Sequence, residues 1–223
     1  MTILIEKPIL LAVTGPIYAG KRAYVEYISG RLSCTEVYSL SAFAAFDSKM
    51  SSGHVINSEN KAEIREYMNT MRHLYGNAYF VKSLKLDKIV NRSVVFVRSL
   101  KNATEIEYFR SIGGIVVGID ASKEVRYKRS QMEEPLKGYS FDYFKELETS
   151  EFPDLDKCLA LSNFIITNEE VDFKRSPSKF YLGPCSDMLN HLSGKFPYFD
   201  SDKNDFDPVF IERVNNEDKI KLF

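Results

Sequence analysis

The sequence predicts an α/β domain in three layers, with a parallel five-stranded sheet covered by helices on both faces. Short apolar runs rich in valine and isoleucine alternate with longer amphipathic stretches, a pattern typical of βαβ units. The 223 residues, 44% of them hydrophobic, can bury one full-sized core and leave a small appendage. We therefore expect the domain to span residues 1–172 and a C-terminal extension to span residues 173–223.

The limits of each element follow from where its pattern begins and ends. Strands buried on both faces are predicted at 9–14, 36–40, 93–97, 115–119 and 164–167. Helices are predicted at 21–32, 59–74, 78–89, 102–111, 122–132, 141–149 and 155–161. Asn102 and Glu105 form a capping-box-like start for one of these helices, and Gly113 ends it. The alternating order of strands and helices predicts that the strands run parallel.

Composition and charge exclude several classes of protein. With 30 basic and 31 acidic residues the net charge is -1, so neither nucleic acid nor an anionic membrane is expected as the main partner. The longest apolar run, residues 9–13, is too short to cross a bilayer. The three cysteines and three histidines are not at metal-ligand spacing, so no metal site is predicted. Unpaired cysteines favour an intracellular protein, cytoplasmic or nuclear.

The extension after residue 172 has a different character. Four prolines and several acids interrupt it, and only 186–192 has the pattern of a short helix. Its aromatic residues could contact a protein partner, and the alternative is a loosely ordered terminus. These aromatic residues are Phe196, Tyr198, Phe199, Phe206 and Phe210.

The segment from the first strand into the first helix carries the clearest chemical signal. The strand ends at Gly15, four residues follow, and Gly20 and Lys21 open a helix. Glycines allow a backbone turn whose N–H groups converge on an anion, and a lysine ammonium there reaches the outer phosphates of a nucleotide. This layout predicts a phosphate-binding loop. The alternative is a tight strand–helix turn with a solvated lysine.

The residue after this lysine departs from the usual pattern. Phosphate-binding loops place Ser or Thr there, and its hydroxyl helps to hold Mg²⁺, whereas this chain has Arg22. A guanidinium cannot ligate a cation, but it can bind a phosphate directly. We therefore expect binding of a nucleotide to survive this change better than metal-assisted transfer does, and a role for Mg²⁺ is doubtful.

Several stretches occur in the order typical of one protein family. They are VVFVRSLKNATEIEYFRSIGGIVVGIDASKEVRYKRS, MRHLYGNAYFVKSL, SFDYFKELETSEF and LSNFIITNEE. With the loop, these stretches make residues 9–172 resemble the nucleoside-monophosphate-kinase-like P-loop proteins. The likeness is to dephospho-CoA-kinase-like and archaeal nucleotide-kinase-like members, and to the kinase-like domain of some fungal deoxycytidylate deaminases. The resemblance implies a P-loop NTPase fold and ATP or another nucleotide as ligand.

The resemblance also implies roles for single residues. Gly15, Gly20, Lys21 and Arg22 would hold the donor phosphates, and Asn168 would approach the adenine. Arg98 would bind the acceptor substrate, with Arg72 in a similar part, and Arg126 and Arg129 would be lid arginines that close over the phosphates. Without the resemblance, these residues would be surface arginines, a solvated basic helix face and a turn residue.

Three departures from the family pattern concern the metal and acceptor positions. Phe96 and Val97 stand where the family has Asp-Gly before the arginine of the third strand. The end of the second strand reads SLSAFAAF, so the nearest acid is Asp47, and Ser130 and Gln131 stand where a further lid arginine often lies. Asp120 is the best remaining carboxylate, although it suits a helix cap as well.

Two functions are consistent with these features. One is an ATP-dependent kinase acting on a nucleotide or another small phosphorylated acceptor. The other is a kinase-like protein that no longer transfers phosphate and serves as a subunit of a larger complex. The second protein would bind a nucleotide or nothing. Because the glycines and the lysine of the loop are intact, binding of a phosphate compound is a stronger expectation than catalysis.

Overall fold

The computed structural model describes residues 9–29, 35–48, 60–89, 94–132 and 136–169. The boundary predicted at residue 172 and the whole extension, with its predicted helix at 186–192, lie outside the described residues.

The centre of the molecule is a parallel sheet of five strands in the order β2-β3-β1-β4-β5. The strands are β1 (Ile9–Thr14), β2 (Thr35–Ser39), β3 (Val94–Arg98), β4 (Ile115–Asp120) and β5 (Phe164–Thr167). The first strand lies in the middle, with Leu11 opposite both Phe96 of β3 and Ile115 of β4. The strand order reverses beside β1, and in open α/β sheets ligands bind at the carboxyl ends of the strands at such a point.

Helices occupy both faces of this sheet. They are α1 (Lys21–Ser29), α2 (Leu40–Asp47), α3 (Lys61–Tyr75), α4 (Tyr79–Ser83), α5 (Ala103–Ser111), α6 (Lys123–Ser130), α7 (Phe141–Glu151) and α8 (Leu155–Ala160), with a 3₁₀ turn at Leu86–Lys88. No helix among the described residues is both long enough and apolar enough to span a membrane.

The alternation of side chains along β1 divides the core into two clusters. Leu11 and Val13 face α1 and pack with its Ile28, whereas Leu10 and Ala12 face the opposite side, where α2 to α5 and α8 pack. Successive side chains of a strand point to opposite faces, so a strand with helices on both sides is apolar throughout. The predicted fold class, three layers with a five-stranded parallel sheet, is confirmed.

Two element predictions were wrong in ways that the structure explains. The second strand was extended to Leu40, but Leu40 begins helix α2, because the Ser39 side chain accepts a hydrogen bond from the Ala42 N–H and caps the helix. This helix was missed because its sequence, LSAFAAFD, is almost entirely apolar and has no clear period. The helix predicted at 78–89 ends at Ser83, and Lys85 adopts a left-handed conformation before the 3₁₀ turn.

Candidate functional site

The loop from Gly15 to Gly20 joins β1 to α1 at the carboxyl end of the central strand. Its backbone has positive φ angles at Gly15 (131°), Tyr18 (56°) and Gly20 (104°). A Cβ atom on Gly15 would lie 2.0 Å from the backbone oxygen of Ile119 in β4. Gly15 is therefore required both by the backbone conformation and by the closeness of the neighbouring strand.

The Lys21 side chain folds back over the start of the loop. Its ammonium donates to the carbonyl oxygens of Gly15 (2.7 Å) and Pro16 (2.5 Å) and lies 5.3 Å from the centre of the Phe152 ring. Burial, and then repulsion from Lys101 and Arg126, lower the pKa of Lys21 to about 7, although the charge of Glu151 acts in the opposite direction. An anion in the loop would stabilise the charged form of this amine.

Arg126 approaches the loop from α6. Its Nη1 lies 3.5 Å from the carbonyl oxygen of Ile17, and its Nε donates to Ala121 O at 2.8 Å. Both terminal nitrogens pair with the Glu148 carboxylate of α7, and the two side chains are buried, with 3% and 6% of their surfaces exposed. Burial is the main cause that lowers the pKa of Arg126 to about 10. Arg126 thus connects α7 to the loop through a buried ion pair.

Arg129 and Asn168 hold the next two residues of the loop. Arg129 donates to the carbonyl oxygen of Tyr18 (2.9 Å) and to the backbone and side-chain oxygens of Asn168 (2.8 and 2.7 Å). The side-chain amide of Asn168 donates to Ala19 O at 2.8 Å. That Arg129 closes over the phosphates and that Asn168 approaches the adenine remain predictions. In the structure both side chains bind carbonyl oxygens of the loop.

The carbonyl contacts determine which way the loop amides point. In a planar trans peptide the C=O and N–H groups point in opposite directions. The oxygens of Ile17, Tyr18 and Ala19 are turned towards α6 and the end of β5, so the N–H groups that follow them are turned away from those elements. The Ala19 N–H points across the loop to Pro16 O, at 3.4 Å. The oxygens of Gly15 and Pro16 bind Lys21 instead. The polarity that suits an anion is therefore confined to the part of the loop from Ile17 to Gly20.

Arg22 lies in the first turn of α1, and its charge acts on Arg98 at the end of β3. Arg22 pairs with Glu26 at 2.7 Å on an exposed surface, away from the loop carbonyls. Arg98 ends β3, and burial lowers its pKa, while Glu26 opposes and Arg22 adds to that shift. In the described part of the chain the Nε atom of Arg98 is buried without a hydrogen-bond partner. Arg98 therefore has a donor available at the carboxyl end of the sheet.

The remaining predicted residue, Arg72, lies on α3. Its Nη2 donates to the Glu105 carboxylate of α5 at 2.7 Å, and the Glu105 side chain is fully buried. Glu105 in turn accepts from the Lys101 N–H at 2.7 Å, and its own N–H donates to Asn102, the confirmed cap of α5. Arg72 is thus held in a structural network at the base of α5, and its assignment to substrate remains a prediction.

The positions that depart from the family pattern are occupied as follows. Phe96 and Val97 are fully buried in the two core clusters. Asp47 accepts hydrogen bonds from the Tyr67 hydroxyl (2.7 Å) and the Tyr79 hydroxyl (3.4 Å), and burial and this carboxylate raise the pKa of both tyrosines. The Asp120 carboxylate accepts from the Ala121 N–H at 2.8 Å.

Four residues around the loop were not predicted: Glu148, Lys101, Glu151 and Phe152. A signal for Glu148 exists in the sequence, because it lies one turn after the apolar Phe144 and so shares a buried helix face with it. An acid on such a face needs a cationic partner. The partner itself comes from another helix, which no local pattern indicates.

Comparison with known proteins yields structural neighbours only. No family model matches the chain, and no curated protein matches it. A shikimate kinase structure from Bacteroides thetaiotaomicron has 16% identity over 74% of this chain and 88% of its own, with a TM-score of 0.48. Shikimate kinases from Acinetobacter baumannii (13% identity, 79% and 93% covered) and Aquifex aeolicus (18% identity, 84% and 99% covered) have TM-scores of 0.47.

The strand order and the loop together define the architecture. The loop follows the central strand of a parallel sheet in the order 2-3-1-4-5 and leads directly into a helix. The fold is the three-layer P-loop NTPase fold. The distant structural neighbours add nothing to this assignment, which depends on the sheet and the loop alone.

Proposed function

We propose that this chain binds a nucleoside triphosphate such as ATP, with the phosphates on the loop at residues 15–20. The observation that carries the proposal is the orientation of the loop, whose carbonyl groups at Ile17, Tyr18 and Ala19 are held outward by Arg126, Arg129 and Asn168. The same orientation supports a positioning role for these three side chains. Lys21 supplies the positive charge, and Gly15 and Gly20 supply the backbone conformation.

The activity that fits such a loop is ATP-dependent phosphoryl transfer to a nucleotide or another small phosphorylated acceptor. Arg98 is the candidate acceptor residue, because its Nε is buried at the carboxyl end of the sheet without a partner among the described residues. Catalysis would then consist of positioning and charge neutralisation, as is general for this reaction.

The second candidate is a nucleotide-binding subunit without transferase activity, and two observations favour it. Arg22 stands in place of a metal-supporting hydroxyl and pairs with Glu26, and Phe96 and Val97 offer no carboxylate. The two candidates differ in whether ADP is released from ATP across a panel of nucleotides and small phosphorylated acceptors. Release that is lost in Arg98→Ala supports the kinase. Binding without release supports the subunit, whose partner contacts should then be lost on deletion of residues 173–223.

Binding itself is tested by thermal unfolding with ATP, with and without Mg²⁺. A ligand at one hundred times its Kd stabilises a protein by about 2.7 kcal/mol, which is a shift of several degrees for a domain of this size. We expect Lys21→Ala to abolish the shift, because it removes the ammonium from the loop. Lys145→Ala should keep the shift, since Lys145 is an exposed lysine paired with Asp142 on α7. A shift that persists in Lys21→Ala would show that ATP binds elsewhere.

The pKa of Lys21 predicts that binding depends on pH. The free amine has a pKa of about 7, and a bound phosphate stabilises its charged form, so binding takes up a proton above pH 7. Affinity for ATP should fall by up to about tenfold per pH unit above 7.5, where the phosphates are already ionised. Lys21→Arg should remove this dependence, because a guanidinium stays charged. Titration calorimetry at pH 7.5 and 9 measures the affinities of the wild type and of Lys21→Arg for ATP. Equal wild-type affinities at the two pH values would contradict the prediction.

A further inference from the structure

The chain after β3 runs beside the start of the loop. The N–H of Leu100 donates to Val13 O at 3.1 Å, and the Thr14 hydroxyl donates to Leu100 O at 2.7 Å. The N–H of Lys101 donates to the buried Glu105 carboxylate at 2.7 Å. Three hydrogen bonds therefore fix the backbone at Lys101 next to the residues that lead into Gly15.

The side chain of Lys101 shares its surroundings with Lys21. Its ammonium lies 4.8 Å from the centre of the Phe152 ring, to which the Lys21 ammonium also lies close, at 5.3 Å. Phe152 is buried, with 4% of its surface exposed, so both cations are held against the same fixed ring. The positive charge of Lys101 also helps to lower the pKa of Lys21, as expected for two ammonium groups held near each other.

A single carboxylate beside the loop, that of Glu151, pairs with more than one cation. Glu151 pairs with Lys101 at 3.2 Å and with Arg65 at 2.8 Å, and 13% of its side chain is exposed. Arg126 nearby has its own carboxylate partner, Glu148. Arg65 and Lys101 pair with Glu151, and the charge of Glu151 also acts on Lys21. These cations outnumber their carboxylate beside the loop. A polyphosphate would supply the negative charge that this group lacks.

We propose that Lys101 is a second phosphate-binding cation of the loop, and that Glu151 is the counterion that a bound polyphosphate displaces from it. This inference rests on the proposed function, since it assigns a further residue to the same site. Lys21 reaches a bound phosphate from the first turn of α1, and Lys101 reaches it from the chain after β3. Both ammonium groups lie near the Phe152 ring, at 5.3 and 4.8 Å from its centre.

Calorimetric titration with ATP and with inorganic tripolyphosphate tests this assignment on the full chain. Lys101→Ala should weaken binding of both compounds at least tenfold, and Lys101→Arg should stay within about threefold of the wild type. Glu151→Gln should bind both compounds at least threefold more tightly, because the amide no longer competes for Lys101. A merely structural Glu151 would instead weaken binding when changed. Thermal unfolding of each variant without ligand confirms that it is folded.

Lys145 provides the matched control. Like Lys101, it lies near a phenylalanine ring (5.0 Å from the centre of Phe141) and pairs with an acid, Asp142 at 2.7 Å, but it lies on the exposed face of α7. Lys145→Ala should leave the affinities for ATP and tripolyphosphate unchanged. This control separates the effect of losing a contact at the loop from the effect of losing one positive charge. If the wild type binds and Lys101→Ala binds equally well, the role of Lys101 is refuted while the proposed function stands. If the wild type binds neither compound, the proposed function and the role of Lys101 are both refuted.

Discussion

Gly15→Ala should destabilise the protein by about 4 kcal/mol, the sum of a strained φ angle and an overpacked contact. The φ angle of 131° is poorly tolerated by alanine, and the new Cβ would lie 2.0 Å from Ile119 O. That oxygen belongs to the backbone of β4, so it cannot move without disturbing the strand pair β1–β4. Urea unfolding measures the free energy change.

A second glycine separates the two causes. Gly76 also has a positive φ angle, 91°, but a Cβ there would meet nothing within 4 Å. Gly76→Ala should therefore cost only the conformational part, about 1–2 kcal/mol. If the two variants lose the same free energy of unfolding, the contact with Ile119 has no effect and the argument for Gly15 is wrong.

Glu148→Gln should destabilise the protein by about 3–5 kcal/mol, because it leaves the buried charge of Arg126 without its partner. Losing this ion pair should also disturb the loop, since Arg126 contacts Ile17 O. We therefore expect this variant to lose the thermal shift caused by ATP at temperatures where it is still folded. Chemical unfolding and the ligand-induced shift give the two readouts.

Two variants show whether the unpaired charge is the cause. Replacing both partners together, Arg126→Met with Glu148→Leu, should cost less than Glu148→Gln alone, because no buried charge remains. On the same helix, Asp142→Asn breaks an exposed ion pair with Lys145 and should cost less than about 0.5 kcal/mol. A double variant less stable than Glu148→Gln would mean that packing, not charge, determines the loss.

The sequence predicted the sheet well because buried parallel strands have a strong local signal. The limits of β1 and β5 were correct to the residue, since each is a short run of apolar residues between breakers. Helix α2 was missed because LSAFAAFD is mostly apolar and has no clear period. Only its packing against α3 and the sheet determines that Leu40, Ala44 and Ala45 are buried. Local pattern cannot supply that tertiary context.

The sequence predicted which residues belong to the candidate site better than it predicted how their side chains are oriented. The glycines and Lys21 carry their own local signal, because their spacing places them on one loop. The direction in which Arg126 and Arg129 point depends on Glu148 and Asn168, which lie 22 and 39 residues further along the chain. These partners meet only after folding, so their contacts with the loop carbonyls could not be inferred from spacing.

The fixed orientation of the Ile17, Tyr18 and Ala19 carbonyl groups affects how a ligand would bind to the loop. Side chains from α6 and the end of β5 bind the loop oxygens of Ile17, Tyr18 and Ala19. The conformational entropy of that segment is thus lost when the chain folds rather than when a ligand arrives. Because the loop is preorganised, ligand binding has to order little of the chain. Binding should therefore proceed without a large rearrangement of the backbone.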